Sequence, residues 1–415
     1  MKKIYLLTLL IVLSFVSLSA QTVYRTQIFN SNVKTLQVNV QNQQFSLPII
    51  TLNGTDVLQV SFDEMSHNAH SYSYKVLHCD ADWTKSNLSS TEYVNGFTTA
   101  NITNQSLSVN TTFLYTHYQF SLPNDEMNFK ISGNYVMLIY DDNQQDKPVA
   151  QACFSIVEPS VVITGAIRAN TDTEINGRLQ QLDFNVDLNG YSVQDPTSEI
   201  KVVVRQNNRI DNQVSDLKPT YFSGSTLNYI NNKSLIFEGG NEYHQFDISS
   251  VYIGGVGIES TRFIRPYYHA YLYPNTITKS YLYEPDVNGN FVINLQNSTN
   301  PDVEADYMYV HFNLPISQPF FDGQLYIGGA FNYNLMDDTV KMNYDGNAGL
   351  YYQTLLLKQG GYNYQYWFRE KGSTTASAER VDGSFWQTGN EYTIYVYHRP
   401  WGGRYDKLIG IKDLQ

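Results

Sequence analysis

The chain has 415 residues, and its 27 Lys and Arg against 39 Asp and Glu give a formal charge of −12. This charge argues against a nucleic-acid-binding protein, because holding phosphates needs a concentrated basic surface and the sequence has none. Hydrophobic residues make up 42% of the chain and 34 residues are Tyr, so the sequence can bury a core and favours β-sheets.

Residues 1–20 have the pattern of a cleaved secretory signal peptide. Two Lys residues precede an apolar run over residues 4–18, which is shorter than the roughly 20 residues of a spanning helix. Cleavage after Ala20 is favoured, with cleavage after Ser19 as the alternative. Gln21 rather than Cys follows the cut, so no lipid attachment is expected. We therefore expect an exported, periplasmic protein that does not itself insert into a membrane.

The first predicted domain covers residues 21–159. Its short segments mix apolar and polar residues with a period near two, and turn clusters separate them about every ten residues. This spacing is typical of a β-sandwich. We place the domain joint at Glu158-Pro159, because Pro cannot continue a central strand.

The two cysteines, Cys79 and Cys153, both fall in predicted strands of this first domain. An oxidising compartment permits a disulfide between them, but sequence does not show whether their Cβ atoms face each other. A disulfide and two buried free thiols both stay open, and we favour the free thiols.

The densest polar cluster of the sequence is HCDADW at residues 78–83. Imidazole, thiolate and carboxylates could bind a metal, but a second pair of ligands at recognisable spacing is missing. Strand alternation also places His78 and Cys79 on opposite faces. We therefore predict a strand end with an Asx turn, anchored by Trp83.

The second predicted domain is β-rich and covers residues 160–299, and the third covers residues 300–415. The third is similar to a glycogen-binding-type module with an E-set-like, immunoglobulin-like sandwich, on the pattern of residues 325–332, 349–352 and 361–366. That family usually has a sugar-stacking Trp after its Phe-Asn strand, whereas Tyr333 follows here. The resemblance therefore implies the sandwich fold and leaves glycan binding doubtful. We expect an all-β chain of three consecutive sandwiches.

Motifs for catalysis are missing from the sequence. It has no nucleophile elbow, zincin helix or P-loop, and Gly254, Gly255 and Gly257 do not complete a dinucleotide-binding fingerprint. The segment from Asp286 to Asn290 favours an Asn-Gly turn over a calcium loop. We predict neither an enzyme nor a cofactor or metal site.

Eleven short motifs, in their order along the chain, resemble one family. They are SLPII at 46–50, HCDADW at 78–83, SNLS at 86–89, EY at 92–93, GF at 96–97, YTHY at 115–118, PND at 123–125, SGNY at 132–135, VEP at 157–159, YVHF at 309–312 and RPWGGRYD at 399–406. This arrangement is similar to the plug proteins of the Bacteroidota type IX secretion system.

The resemblance implies a periplasmic protein that is held at the outer membrane by a protein partner, the giant translocon barrel. The protein would dock on the inner mouth of the barrel and close it when no substrate is engaged. The family supplies no catalytic residues and no known barrel-binding residues. The alternative function is an exported glycan-binding module that acts through the C-terminal domain.

Overall fold

A computed structural model describes residues 21–415, and the predicted signal peptide lies outside the described residues. In the described part of the chain 46% of residues lie in strands and 6% in helices, which confirms the all-β prediction. Its helices are single turns: Ser90–Tyr93, Pro196–Glu199, Pro301–Glu304 and Glu379–Asp382, with 3₁₀ turns at Lys233–Leu235 and Ala330–Asn332. Between residues 21 and 415 no helix is long and apolar enough to cross a membrane.

The first unit is a sandwich of two main sheets. Its strands are β1 (Gln27–Ile28), β2 (Val33–Val40), β3 (Ile49–Thr51), β4 (Leu58–Glu64), β5 (Tyr72–Cys79), β6 (Val94–Gly96), β7 (Thr99–Ile102), β8 (Asn104–Leu107), β9 (Thr116–Leu122), β10 (Met127–Phe129), β11 (Gly133–Asp141) and β12 (Ala150–Val157). One sheet has the order β1-β12-β11-β5-β7, with β3 parallel to β12, and the other has the order β2-β4-β9-β8. The core between them includes Phe62, Tyr74 and Phe154.

The middle of the chain begins a second sandwich. Its strands are β13 (Val162–Arg168), β14 (Leu179–Asp187), β15 (Ile200–Gln206), β16 (Tyr221–Ser223), β17 (Thr226–Tyr229) and β18 (Ile236–Glu238). One sheet has the order β13-β14-β17-β16, and β18 also pairs with β14. The strand β15 belongs to the opposite sheet.

The third unit contains β19 (His244–Asp247), β20 (Ile258–Ile264), β21 (Tyr267–Leu272), β22 (Phe291–Ile293), β23 (Tyr307–Pro315), β24 (Gly323–Gly328), β25 (Asn343–Asp345), β26 (Leu350–Lys358) and β27 (Gly360–Glu370). One sheet has the order β20-β21-β23-β26-β25, and the other has the order β19-β27-β22, with β24 also on β27. Phe246, Phe312 and Tyr366 lie in the core between them.

The last two strands, β28 (Tyr392–His398) and β29 (Lys407–Leu414), return to the second sandwich. β15 pairs with β28 from Ile200↔His398 to Gln206↔Tyr392, and β28 pairs with β29. Their apolar side chains share one core with β14 and β17. The last strands complete this core because the half-buried faces of β14 and β15 need a second layer.

The strand pairing therefore does not follow the predicted boundary between residues 299 and 300. β15 pairs across it with β28, and β21 pairs across it with β23 through His269↔Tyr309. From this pairing we propose a nested division: residues 21–159, residues 160–239 together with 390–415, and residues 240–389 inserted between them.

Candidate functional site: the contacts that join the three units

Two of the sequence motifs, HCDADW at 78–83 and RPWGGRYD at 399–406, meet between the first and second units. Asp406 is fully buried, and its Oδ2 accepts a hydrogen bond from the Ala81 N–H at 2.9 Å. In return the Asp406 N–H donates to Asp80 Oδ1 at 3.2 Å. Motifs separated by more than 300 residues thus form one structure, which we call the Asp406 cluster.

Two cations complete the Asp406 cluster. Arg399 Nε donates to Asp406 Oδ1 at 2.8 Å, and Arg399 Nη2 lies 2.7 Å from Asp80 Oδ1. Lys201 Nζ, from β15, donates to Asp406 Oδ2 at 3.0 Å. Burial by itself would raise the pKa of Asp406, but the hydrogen bond from Ala81 and the two cations hold it below its usual value. Asp406 is therefore a charged, fully paired carboxylate inside the interface.

His78 and Trp83 each contribute packing to this interface. His78 Nδ1 is 2.9 Å from Ser86 Oγ, and the His78 ring meets the Tyr405 ring edge-on at a centroid distance of 5.3 Å. Burial lowers the pKa of His78 to about 4, so the imidazole is neutral. Trp83 is only 6% exposed, and the guanidinium of Arg205 lies 5.7 Å from its ring centroid.

The predicted strand end at HCDADW has the expected turn. Both the N–H and the hydroxyl of Thr84 donate to Asp82 Oδ1, at 3.0 and 2.6 Å. His78 and Cys79 point to opposite faces of β5, as alternation predicts. Within residues 21–415 no group of three or more metal-ligating side chains comes together.

Both cysteines are free thiols, so the disulfide that the sequence left open is not formed. β11 lies between their strands, where Asn134 is the register partner of Cys79 and Val136 is the partner of Cys153. Strands two places apart in a sheet are separated by about 9–10 Å, whereas a disulfide needs Cα atoms within about 7 Å. Burial raises the pKa of the Cys153 thiol to about 12.

The first and third units are joined by a buried ion pair, which we call the Asp63 cluster. Lys358 Nζ lies 2.6 Å from Asp63 Oδ2, and both side chains are at most 2% exposed. The Tyr307 hydroxyl donates to the same oxygen at 2.7 Å, and His117 Nδ1 is 2.7 Å from Asp63 Oδ1. The ammonium of Lys358 also lies 4.3 Å from the ring centroid of Tyr115. A buried carboxylate thus receives three partners from two units.

The sequence alone does not indicate the Asp63 cluster. Asp63 and Lys358 lie at the ends of separate strands, 295 positions apart, and neither lies in a motif. The only local signal is a Lys that ends the apolar run of β26, which by itself is usual for a strand end.

Tyr333, the predicted replacement for the sugar-stacking Trp, also lies between the first and third units. Its side chain packs against the core of the first unit, and its hydroxyl donates to the Leu36 carbonyl at 3.1 Å. Packing between protein units occupies the ring that would have to stack on a sugar.

The second and third units are joined through Arg209, which is 7% exposed. Its guanidinium carbon lies 4.4 Å from the Trp367 ring centroid, and its Nη2 donates to the Ala376 carbonyl at 2.7 Å. Asp211 pairs with the same guanidinium at 2.7 Å. Each pair of units is therefore connected by at least one buried charged contact, and a cavity of about 320 Å³ remains where all three meet.

Comparison with protein families identifies the first unit. Residues 33–158 match the family model described as Type 9 secretion system plug protein 1st domain. Residues 33–158 therefore belong to the family of type 9 secretion system plug protein first domains. This membership supports a role related to type IX secretion and suggests a structural rather than a catalytic role.

A solved structure is similar over almost the whole chain. It is the 2.30 Å crystal structure of a hypothetical protein from Parabacteroides merdae, 39% identical in sequence, with a TM-score of 0.93. The match covers 95% of this chain and 99% of that one, so it includes all three units. No curated protein matches the chain significantly.

Proposed function

We propose that this protein is a periplasmic plug that binds the periplasmic mouth of the giant outer-membrane type IX translocon barrel. It closes the barrel sterically when no substrate is engaged. The observation that carries the proposal is the match of residues 33–158 to the first domain of type 9 secretion system plug proteins. The signal-peptide pattern of residues 1–20 supports the periplasmic location.

The joined units support a steric role. Domains linked only by small polar interfaces usually move relative to one another. Here the buried contacts of Asp406, Asp63 and Arg209 connect the units pairwise, so each unit is held by contacts with both other units and not by a linker alone. A body of this kind resists deformation, which a pore blocker needs because a flexible chain would be threaded or pushed aside.

The low charge of the chain fits reversible closure. Only 16% of residues are charged, and the buried side chains of Asp63, Arg209 and Asp406 pair with opposite charges inside the protein. An interface rich in Tyr and amides can be specific and still displaceable, unlike an obligate apolar interface. We expect affinity for the barrel to change little with salt, because uncharged contacts are not screened.

Affinity purification from the native envelope tests the proposal directly. A C-terminally tagged protein, expressed at its natural level, is expected to recover the giant barrel from detergent-solubilised outer membranes. Deleting the gene is expected to make the outer membrane permeable to a large antibiotic, and deleting the barrel as well is expected to restore the barrier. Recovery of no barrel, or a deletion strain as tight as the parent, would contradict the proposal.

A further inference from the structure

One edge strand of the third unit has its backbone uncovered. β20 is the outermost strand of its five-stranded sheet and pairs only with β21, from Ile258↔Leu272 to Ile264↔Tyr267. In the described part of the chain, no strand other than β21 pairs with β20, and no backbone hydrogen bond from any other element reaches residues 259–264. The outer side of β20 therefore presents a row of free backbone donors and acceptors.

Exposed apolar side chains lie beside this open edge. Phe263 and Ile264, at the end of β20, are 51% and 48% exposed. The preceding loop adds Tyr252, Ile253 and Val256, which are 90%, 61% and 66% exposed. Residues 248–258 contain no charged residue. We call these five side chains the apolar tip. Exposed apolar patches mark interaction sites.

The loop that carries three side chains of the apolar tip is held in place by its glycines. A Cβ on Gly255 would lie 2.1 Å from the Asp247 carbonyl oxygen, and Gly257 has a φ of +73°. The Asp247 N–H donates to the Val256 carbonyl at 2.9 Å, which ties the loop to β19. The glycines that resemble part of a nucleotide fingerprint thus fix a loop conformation. A fixed loop loses little entropy on binding.

β20 has only part of the protection that usually covers an open edge. Soluble proteins often cover such edges with Lys, with Pro or with a bulge that twists the strand away. β20 contains no Pro and no Lys, and its charged residues are Glu259 and Arg262. The guanidinium of Arg262 lies 5.1 Å from the Tyr271 ring centroid, so it turns over the sheet and not over the edge. The irregularity between Ile258 and Ser260 leaves the rest of the strand regular.

We propose that β20 and the apolar tip bind an extended strand of a partner protein by β-strand addition. An extended polypeptide supplies both the backbone hydrogen bonds that β20 lacks and the apolar side chains that the tip requires. Lipid could cover the tip but would leave the edge groups of β20 unpaired. The inference rests on the proposed function, because it assigns this strand to a periplasmic segment of the translocon.

Lysine substitution on two matched edge strands tests the proposal. Phe263→Lys/Ile264→Lys places charge at the end of β20. Tyr221→Lys/Phe222→Lys is the control on β16, where the two side chains are 47% and 49% exposed but the edge strand has only three residues. We expect the β20 variant to recover at least tenfold less barrel from outer membranes than wild type, with the control within twofold of wild type. Thermal unfolding of both variants checks that they remain folded.

The outcomes separate this inference from the proposed function. If wild type recovers no barrel, the proposed function fails and this inference with it. If wild type recovers the barrel and the β20 variant recovers it equally well, or if the control variant loses as much, strand addition at β20 is wrong and the proposed function stands. Wild-type binding to phosphatidylethanolamine vesicles that the β20 substitutions abolish would also overturn the proposal in favour of lipid.

Hydrogen exchange on unmodified protein provides a test that does not depend on variants. Strand addition pairs outward-facing amides, so amides within residues 259–264 are expected to exchange at least tenfold more slowly in the purified complex with the barrel. Side-chain docking alone would leave these amides unpaired. Unchanged exchange at β20 in a complex that has formed would overturn the proposal.

Discussion

Replacing Asp406 by Asn tests whether the two distant motifs stabilise the joint between the first and second units. The substitution keeps the shape of the side chain and removes its charge. Asn keeps one acceptor oxygen, but its amide nitrogen would face groups that are donors. Arg399 and the Ala81 N–H then compete for a single neutral oxygen in a buried site.

The magnitude follows from the exposure of the partners. Hydrogen bonds to a buried charge contribute about 1.5–3 kcal/mol each, and those from Ala81 and Arg399 are of this kind. Lys201 is 41% exposed, so its contribution is at most about 1 kcal/mol. Because Asn retains part of this hydrogen bonding, we expect a loss of about 3 kcal/mol in the free energy of unfolding. This loss is within the range for breaking buried ion pairs.

Urea unfolding followed by tryptophan fluorescence measures this loss. Asp82→Asn is the matched control, because Asp82 is exposed, lies in the same motif and bonds only to Thr84. The control is expected to cost about 0.5 kcal/mol. A loss below about 1 kcal/mol for Asp406→Asn, or one equal to that of the control, would refute the argument that the motifs act as an interface.

The difference in unfolding free energy between wild type and Asp406→Asn should also depend on pH. The folded-state pKa of Asp406 lies below its usual value, so its contribution is fully present above the unfolded-state pKa of about 3.9. It is lost as the pH falls through the folded-state pKa. The difference between wild type and Asp406→Asn should therefore be constant above about pH 5 and shrink in more acidic solution. A difference that grows on acidification would contradict the assignment of charge.

Three further predictions concern the other contacts. Lys358→Met should lower the free energy of unfolding by about 3–5 kcal/mol, because Asp63 stays buried without its cation. In the same urea assay, adding Asp63→Asn to this variant should restore part of the lost stability. Native protein should react with iodoacetamide at least tenfold more slowly than free cysteine, since burial raises the pKa of both Cys79 and Cys153. Denatured protein should titrate as two thiols, and a count of one thiol or none would contradict the free-thiol state. Tyr333→Ala should cost about 3 kcal/mol through lost packing, while calorimetry should show no α-glucan binding by wild type; binding that this substitution abolishes would favour the glycan module.

Local patterns were sufficient to predict the class of fold. Period-two alternation and frequent turn residues require strands with one buried face, so the all-β class follows from residue types alone. The alternation of β5 likewise predicted that His78 and Cys79 face opposite ways, because the side-chain period of a strand is two. The family resemblance could also be recognised from the sequence, since it depends on short motifs and their order along the chain.

Strand pairing was decided only by the tertiary structure. The pattern of β28 and β29 fits any sandwich, and nothing local indicates that their partner is β15, nearly 200 residues earlier, and not β27 beside them in sequence. The choice depends on which half-formed core remains uncovered, which is a property of the assembled chain. Cys79 and Cys153 illustrate the same limit, because the intervention of β11 follows from sheet order.

The charged contacts between units show most clearly which features can be read from the sequence and which depend on the tertiary structure. The sequence identifies HCDADW and RPWGGRYD as two motifs of the family resemblance. The structure shows that the two motifs contact each other through the hydrogen bonds of Asp406. Asp63 and Lys358 have no distinctive local signal, because a charge at a strand end acquires its role only when folding buries it beside an opposite charge. Periodicity along the chain therefore determines the strands, whereas burial in three dimensions determines which charges hold the units together.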